Sequence, residues 1–158
     1  MFNFRKKKNA FLATQNGKII DLKDVPDEAF SQKMLGDGVA IMPTGNDICS
    51  PVDGTIIQVT DTLHAYGIAS DDGLDVLVHV GINTVELKGE GFETLVKEGD
   101  KVKAGDVIAR ADLPLIKSKG YELYTPVLIT NMDDIKELSV CDGNVEAGKT
   151  VIMTYSKK

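Results

Sequence analysis

Gly54-Thr55-Ile56-Ile57-Gln58-Val59-Thr60, then His64-Ala65-Tyr66-Gly67-Ile68-Ala69-Ser70, Asp71-Asp72-Gly73 and Leu74-Asp75-Val76-Leu77-Val78-His79-Val80, is the stretch that decides the fold class. Its β-branched and aromatic residues come in short blocks, and an Asp-Gly between two such blocks is a hairpin signal. Blocks of the same kind recur at Val107-Ile108-Ala109-Arg110, Thr125-Pro126-Val127-Leu128-Ile129-Thr130 and Val151-Ile152-Met153-Thr154-Tyr155. Many short strands punctuated by Gly and Asp predict an all-β fold, an antiparallel β-sandwich with one or two short helices. The better helix candidate is Pro26 to Leu35. It has Pro near its first turn, Asp27 and Glu28 early and Gly36 just beyond, and it would set Phe30 and Met34 on one face. A second short helix is expected over Asn131 to Glu137.

The chain also echoes itself. Gly99-Asp100-Lys101-Val102-Lys103-Ala104-Gly105-Asp106-Val107-Ile108 resembles Asp142-Gly143-Asn144-Val145-Glu146-Ala147-Gly148-Lys149-Thr150-Val151, with Val102, Ala104 and Gly105 matching Val145, Ala147 and Gly148. Two copies of one turn-strand unit predict a pseudo-symmetric β fold, not a solenoid, which needs at least three. The second copy spells the phosphate-loop pattern G-x-x-x-x-G-K-T from Gly143 to Thr150. That chemistry needs a helix after the loop, so that amides and helix dipole converge on phosphate. Here a strand-like run follows, and nucleotide binding is rejected.

A chain of 158 residues is one domain with room for a sizeable core. Its net charge of −6 understates the acidity of the body, because four of its 18 cations fall together at Arg5 to Lys8. Residues 1–10 read as a basic flexible tail and 11–158 as the domain. Such an acidic body repels phosphate backbones and excludes a nucleic-acid partner. No apolar run approaches the ~18 residues of a membrane span. The start lacks the apolar stretch of a signal peptide. Cys49 and Cys141 make no disulfide framework or CxxC. A cytoplasmic protein is expected, with at most peripheral membrane contact through residues 1–12.

His64 and His79 are the two histidines. With Asp71-Asp72 as a two-residue turn, His64 pairs with His79; with Asp72-Gly73, it is a diagonal neighbour. Either places both rings on one sheet face, whereas a simple three-residue loop separates them unless a bulge restores parity. Thr62 would share the face of His64 by strand alternation. Two imidazoles side by side have three readings. They are incidental to the sheet. They hold zinc, which requires a partner's or another extra ligand, since a complete site wants three or four. Or one neutral ring attacks phosphorus while the other donates to the phosphoryl oxygens, which needs nothing beyond the pair.

Val25-Pro26-Asp27, Gln32 to Ile41, Ser50-Pro51-Val52-Asp53-Gly54-Thr55 and above all Val78-His79-Val80-Gly81-Ile82-Asn83-Thr84-Val85-Glu86-Leu87-Lys88-Gly89-Glu90-Gly91-Phe92 closely resemble the glucose-type enzyme IIA of the bacterial phosphoenolpyruvate-dependent sugar phosphotransferase system. The resemblance continues through Asp112-Leu113-Pro114 and Thr125-Pro126-Val127 to the C-terminus. It implies a phosphocarrier whose histidine, here His79, accepts a phosphoryl group at Nε2 from phosphorylated HPr and passes it to a cysteine of enzyme IIB. It implies that His64 helps hold that group, that Thr62 orients His64, and that the Gly81 carbonyl accepts the Nδ1 proton of His79. It places Asp27, Phe30, Met34, Leu35, Leu77, Asn83, Val85 and Glu86 on the partner-facing rim, with no cofactor required. Leu77 and Thr60 stand where many such proteins carry an aromatic, and Asn83 where they often carry Asp. A monomer is expected, with regulatory targets beyond the two transfer partners.

The weaker readings are a biotinyl or lipoyl carrier, for which Asp100-Lys101 is a poor hairpin-tip lysine, and a metallopeptidase, which needs an H-x-H absent here.

Overall fold

The computed structural model describes residues 9–158. Fourteen strands are present among them: β1 (Ala10–Leu12), β2 (Gly17–Ile20), β3 (Asp37–Pro43), β4 (Asp47–Cys49), β5 (Gly54–Val59), β6 (Ala65–Ser70), β7 (Asp75–His79), β8 (Phe92–Thr94), β9 (Lys101–Val102), β10 (Val107–Ala111), β11 (Thr125–Ile129), β12 (Ile135–Val140), β13 (Asn144–Val145) and β14 (Val151–Lys157). All pairings are antiparallel. An eight-stranded sheet, ordered β13-β2-β3-β11-β7-β6-β5-β9, shares one apolar core with two three-stranded sheets, β4-β10-β8 and β1-β14-β12. This is the all-β architecture expected from the strand pattern. The tail assigned to residues 1–10 lies outside the described residues up to Lys8, while Ala10 already pairs with Thr154 in β1.

The sequence echo is a structural one. The large sheet divides into β13-β2-β3-β11 and β9-β5-β6-β7, with the two repeat strands β13 and β9 at its opposite edges, and their successors β14 and β10 are the middle strands of the small sheets. Hydrogen bonds repeat too. Gly105 N donates to Ser50 O at 2.8 Å and Gly148 N to Ala13 O at 2.8 Å. Ala104 N donates to Asp53 Oδ1 at 2.8 Å and Ala147 N to Asn16 Oδ1 at 2.7 Å. The halves touch at Gly105 and Gly148, where a Cβ on Gly148 would stand 3.0 Å from the Gly105 Cα. The segment spelling a phosphate loop runs into β14, so the helix that motif requires is not there.

Both helices are short. α1 covers only Glu28–Ser31, capped by Asp27, whose Oδ1 accepts from Ala29 N at 2.9 Å. Its end lies well before the Leu35 expected from the sequence. Lys33 turns left-handed at φ +58°, with Lys33 N bonded to Phe30 O and Met34 N to Ala29 O, both at 3.0 Å. That six-to-one closure is a Schellman stop made by a lysine, and it places Met34 outside the helix and off the face of Phe30. The second helix expected, over Asn131 to Glu137, is a single 3-10 turn at Met132–Asp134, because Ile135 enters β12. The real second helix, α2 (Leu113–Ser118), was missed; Asp112 caps it and Pro114 sits in its first turn.

The β6–β7 hairpin closes through Asp71, Asp72 and Gly73, with Gly73 left-handed at φ +97° and Ser70 N bonded to Leu74 O at 2.8 Å. Neither two-residue turn weighed from the sequence is used. Its tip is tied to β14, where the Tyr155 hydroxyl donates to the Asp72 carboxylate and the Lys157 ammonium to the Asp72 carbonyl; within the hairpin, Ser70 Oγ donates to Asp72 Oδ1 at 2.5 Å.

Alternation along β7 sends Val76 and Val78 into the main core, leaving Leu77 and His79 on the outer face. There Leu77 packs against a second apolar cluster of Leu22, Val25, Phe30, Ala40, Ile82 and Leu128. The segment bearing α1 therefore lies on the outside of the large sheet, beside the end of β7.

Candidate functional site

Register in the hairpin pairs His79 with Ala65. His64 consequently sits opposite Val80, which donates its N–H to the His64 carbonyl at 2.7 Å. A three-residue loop should set the imidazoles on opposite faces, yet their ring centroids lie 4.8 Å apart, edge to face at 83°. No bulge within the hairpin restores the parity. His64 lies just outside β6, after a turn in which Leu63 adopts φ +61°, so strand alternation does not govern its side chain. Thr62 belongs to the same turn and not to a strand. Its hydroxyl still lies 2.6 Å from His64 Nδ1, a contact made by the turn and not by the alternation expected. Thr60 closes the loop, accepting from Ala65 N at 3.1 Å while its Oγ1 lies 3.4 Å from the same Nδ1.

His79 Nδ1 is fixed from the other side. It donates to the Gly81 carbonyl at 2.8 Å, which leaves Nε2 with its lone pair free. Gly81 holds φ +80°, and a Cβ there would lie 2.5 Å from Thr84 Cγ2. The loop carrying it is pinned by Thr84 Oγ1 donating to Val80 O at 2.5 Å and by Ile82 N donating to Glu122 O at 3.0 Å. Phe30 sets its ring 5.0 Å from that of His79, edge-on at 60°.

Burial governs the electrostatics. His64 is 7% exposed. Its desolvation, with the neighbouring His79 adding to it, holds its pKa down at about 4. Burial also lowers that of His79, against the opposing pull of the Gly81 carbonyl and the Asp27 carboxylate. Both rings are neutral at neutral pH.

The remaining sequence candidates differ in exposure, and of them Phe30 touches the pair. Phe30 is buried, and Leu77 is half-buried on the same face. Met34, Leu35 and Val85 expose apolar side chains, Met34 to 71%. Asn83 opens the 3-10 turn Thr84–Leu87 in left-handed conformation, and Glu86 accepts from the Tyr121 hydroxyl at 3.1 Å. Sequence reasoning missed Thr84, Tyr121 and Glu122. Thr84 sits inside the quoted His79 stretch and was available there. The carbonyl of Glu122 acts through backbone alone and leaves no sequence signal. Among the described residues no three His, Cys, Asp or Glu side chains come together as metal ligands, so zinc at the pair still needs a ligand from elsewhere. No described helix is long and apolar enough to cross a membrane.

A deprotonated ring nitrogen beside a second neutral imidazole, under an apolar rim, fits nucleophilic attack on phosphorus. Comparison with known proteins gives the family. The pattern defining the phosphoenolpyruvate-dependent sugar phosphotransferase system EIIA 1 family matches residues 9–135. A PTS system glucose-specific EIIA component of Buchnera aphidicola subsp. Acyrthosiphon pisum is 46% identical over 151 residues, covering 96% of this chain and 94% of that protein. In Staphylococcus saprophyticus, a glucose-specific EIICBA component is 44% identical over 147 residues, 92% of this chain but 22% of the longer polypeptide. The solved glucose permease IIA from Mycoplasma capricolum superposes with a TM-score of 0.87 at 38% identity, over 97% of this chain and 98% of that one.

Proposed function

Because this chain belongs to the EIIA 1 family of the phosphoenolpyruvate-dependent sugar phosphotransferase system, and so is a phosphocarrier of that system, we propose that it carries the phosphoryl group on Nε2 of His79, taking it from phosphorylated HPr and giving it to a cysteine of enzyme IIB. The observation that carries this reading is the 2.8 Å bond from His79 Nδ1 to Gly81 O, since it fixes which nitrogen has the lone pair.

In the forward step the Nε2 lone pair forms the bond to phosphorus as the donor's bond to phosphorus breaks, and the donor leaves with that electron pair. The ring keeps its Nδ1 proton throughout. The positive charge that develops on the imidazole is met by the Gly81 carbonyl and the Asp27 carboxylate, the two groups that already favour its charged form. His64 stays neutral. A Thr62 hydroxyl donating to its Nδ1 puts the proton on Nε2, where it is a hydrogen-bond donor for a phosphoryl oxygen. Transfer of this kind is positioning plus charge stabilisation, with attacking and leaving atoms in line. In this reading no metal is needed, because the ring and nearby backbone amides meet the equatorial oxygens. In the second step a thiolate of enzyme IIB takes the phosphoryl group, and Nε2 recovers its lone pair. The names of the relatives make glucose the first sugar to test.

The test is incubation with phosphoenolpyruvate, enzyme I and HPr, read by intact mass. One acid-labile phosphoryl group on the wild type, none on His79→Gln, and acceptance with poor onward transfer in His64→Gln are expected. An unlabelled wild type in a cascade that labels another enzyme IIA would overturn the reading.

A further inference from the structure

We propose that the docking surface for the phosphoryl-donor protein extends from the histidine pair across Gly67 to Ile57, and that Ile57 is a determinant of donor affinity. The inference rests on the carrier reading.

Ile57 sits at a β-bulge. Ile56 pairs with Ile68 and Gln58 with Gly67, so Ile57 is the extra residue in β5. Ile56, Ile68 and Tyr66 all point into the main core. Gly67, between the last two, therefore faces outward, and a Cβ built on it would lie 3.4 Å from Ile57 Cγ1 and 3.3 Å from Gln58 Cβ. The Ile57 side chain thus lies on the outer face and leans toward Gly67. Across the next pairing Gly67 meets Leu77, two residues before His79 on the same face. The result is a notch with a bare backbone floor, walled by Leu77 on one side and by Ile57 with Gln58 on the other. Bulges commonly re-aim a side chain beside an active site. Here the bulge turns out an isoleucine that is 51% exposed.

Reach decides what covers it. Two strand spacings and two residues along the strand put Ile57 roughly 12 Å from His79. An interface at the small end of the standard range covers about 600 Å² on each partner, a disc of about 14 Å radius. A protein delivering phosphorus to Nε2 of His79 centres its contact there, and the disc includes Ile57. The donor meets this face before a phosphoryl dianion is installed, when apolar contact counts most. The Asp27 carboxylate, which acts on His79, caps α1, and the segment bearing α1 packs toward β3 on the side of β7 away from β5, so the fitting partner has an apolar centre and a basic edge.

The experiment is steady-state phosphorylation by phospho-HPr of wild type, Ile57→Thr, Ile57→Lys and Val140→Ser. Val140 is 52% exposed but lies in the β1-β14-β12 sheet, and it controls for loss of any surface apolar group. Threonine keeps the β-branch that suits the bulge, and thermal melting checks that each variant is folded. Ile57→Thr should raise the KM for phospho-HPr about fivefold with kcat held. Ile57→Lys should raise it further, and Val140→Ser should leave it alone. An unchanged KM in both Ile57 variants, or an equal rise in Val140→Ser, overturns the inference while leaving the carrier reading intact. A change only in self-association, by sedimentation of the protein alone, overturns it in favour of a second copy. An unphosphorylated wild type brings down the carrier reading and this inference together.

Discussion

Acid should weaken this protein through His64 before it reaches most carboxylates. The ring is almost wholly buried and its folded pKa is about 4, against about 6.5 in the unfolded chain. Between those values the unfolded state binds the proton and the folded state does not, so stability rises with pH across the window and falls as acid is added. This group contributes no penalty near pH 8. Its cost reaches about 2 kcal/mol at pH 5 and about 3 kcal/mol at pH 4. Replacing His64 by Gln removes the titrating group while keeping a polar side chain of similar reach. Urea unfolding of both proteins at pH 7.5 and pH 5 gives a four-point cycle. The wild type should lose about 2 kcal/mol more than His64→Gln, with unchanged m values showing that the denatured state is not responsible. Equal losses would refute the reasoning, because they would mean that His64 is either protonated in the native state or solvated there.

Three further outcomes follow from the site. Gly81→Ala forces a Cβ to within 2.5 Å of Thr84 at φ +80°; it should cost about 1–3 kcal/mol in urea unfolding and abolish labelling of His79 as its Nδ1 acceptor is displaced. Phe30→Ala removes a buried ring from both the second cluster and the edge of His79, and should cost about 3–5 kcal/mol in thermal or urea unfolding. Tyr155→Phe removes one of the two ties from the hairpin tip to β14 and leaves that of Lys157; because the lost acceptor is a carboxylate it should cost about 1.5–3 kcal/mol and raise amide exchange at Ser70 to Leu74, with the labelling of His79 unchanged.

Much of this was legible in residue order because local chemistry and tertiary context agree. Asp-Asp-Gly between two β-branched blocks is a hairpin whichever turn it takes, and the repeated Val-x-Ala-Gly marks two halves that do meet at their glycines. Two of the exceptions share a cause: backbone turns made by residues that do not advertise them. Leu63 and Lys33 are left-handed without being Gly or Asn. The first carries His64 out of strand alternation, and the second ends α1 four residues before Leu35. The proximity of the histidines was expected for a geometric reason that does not operate, through turns that are not used. Thr62 likewise reaches its partner from a turn. Helix α2 was missed although Pro114 in its first turn is the same start signal that was read at Pro26, with Asp112 before it as cap. Ile57 passed as one more strand residue, since a bulge is set by the partner strand and not by the residue it extrudes.

The antiparallel contact of β1 with β14 has a consequence for protein engineering and for modular assembly. Ala10 lies beside Thr154, and the Asn9 carbonyl accepts from Tyr155 N at 3.0 Å, so the described ends of the domain leave side by side, in a sheet that holds neither histidine. A polypeptide can therefore enter and exit here as through a single doorway. A few linking residues would close the chain into a ring and allow it to be reopened at another exposed loop, and a longer protein could accept the whole unit as an insert, in either case with the two imidazoles left where they are.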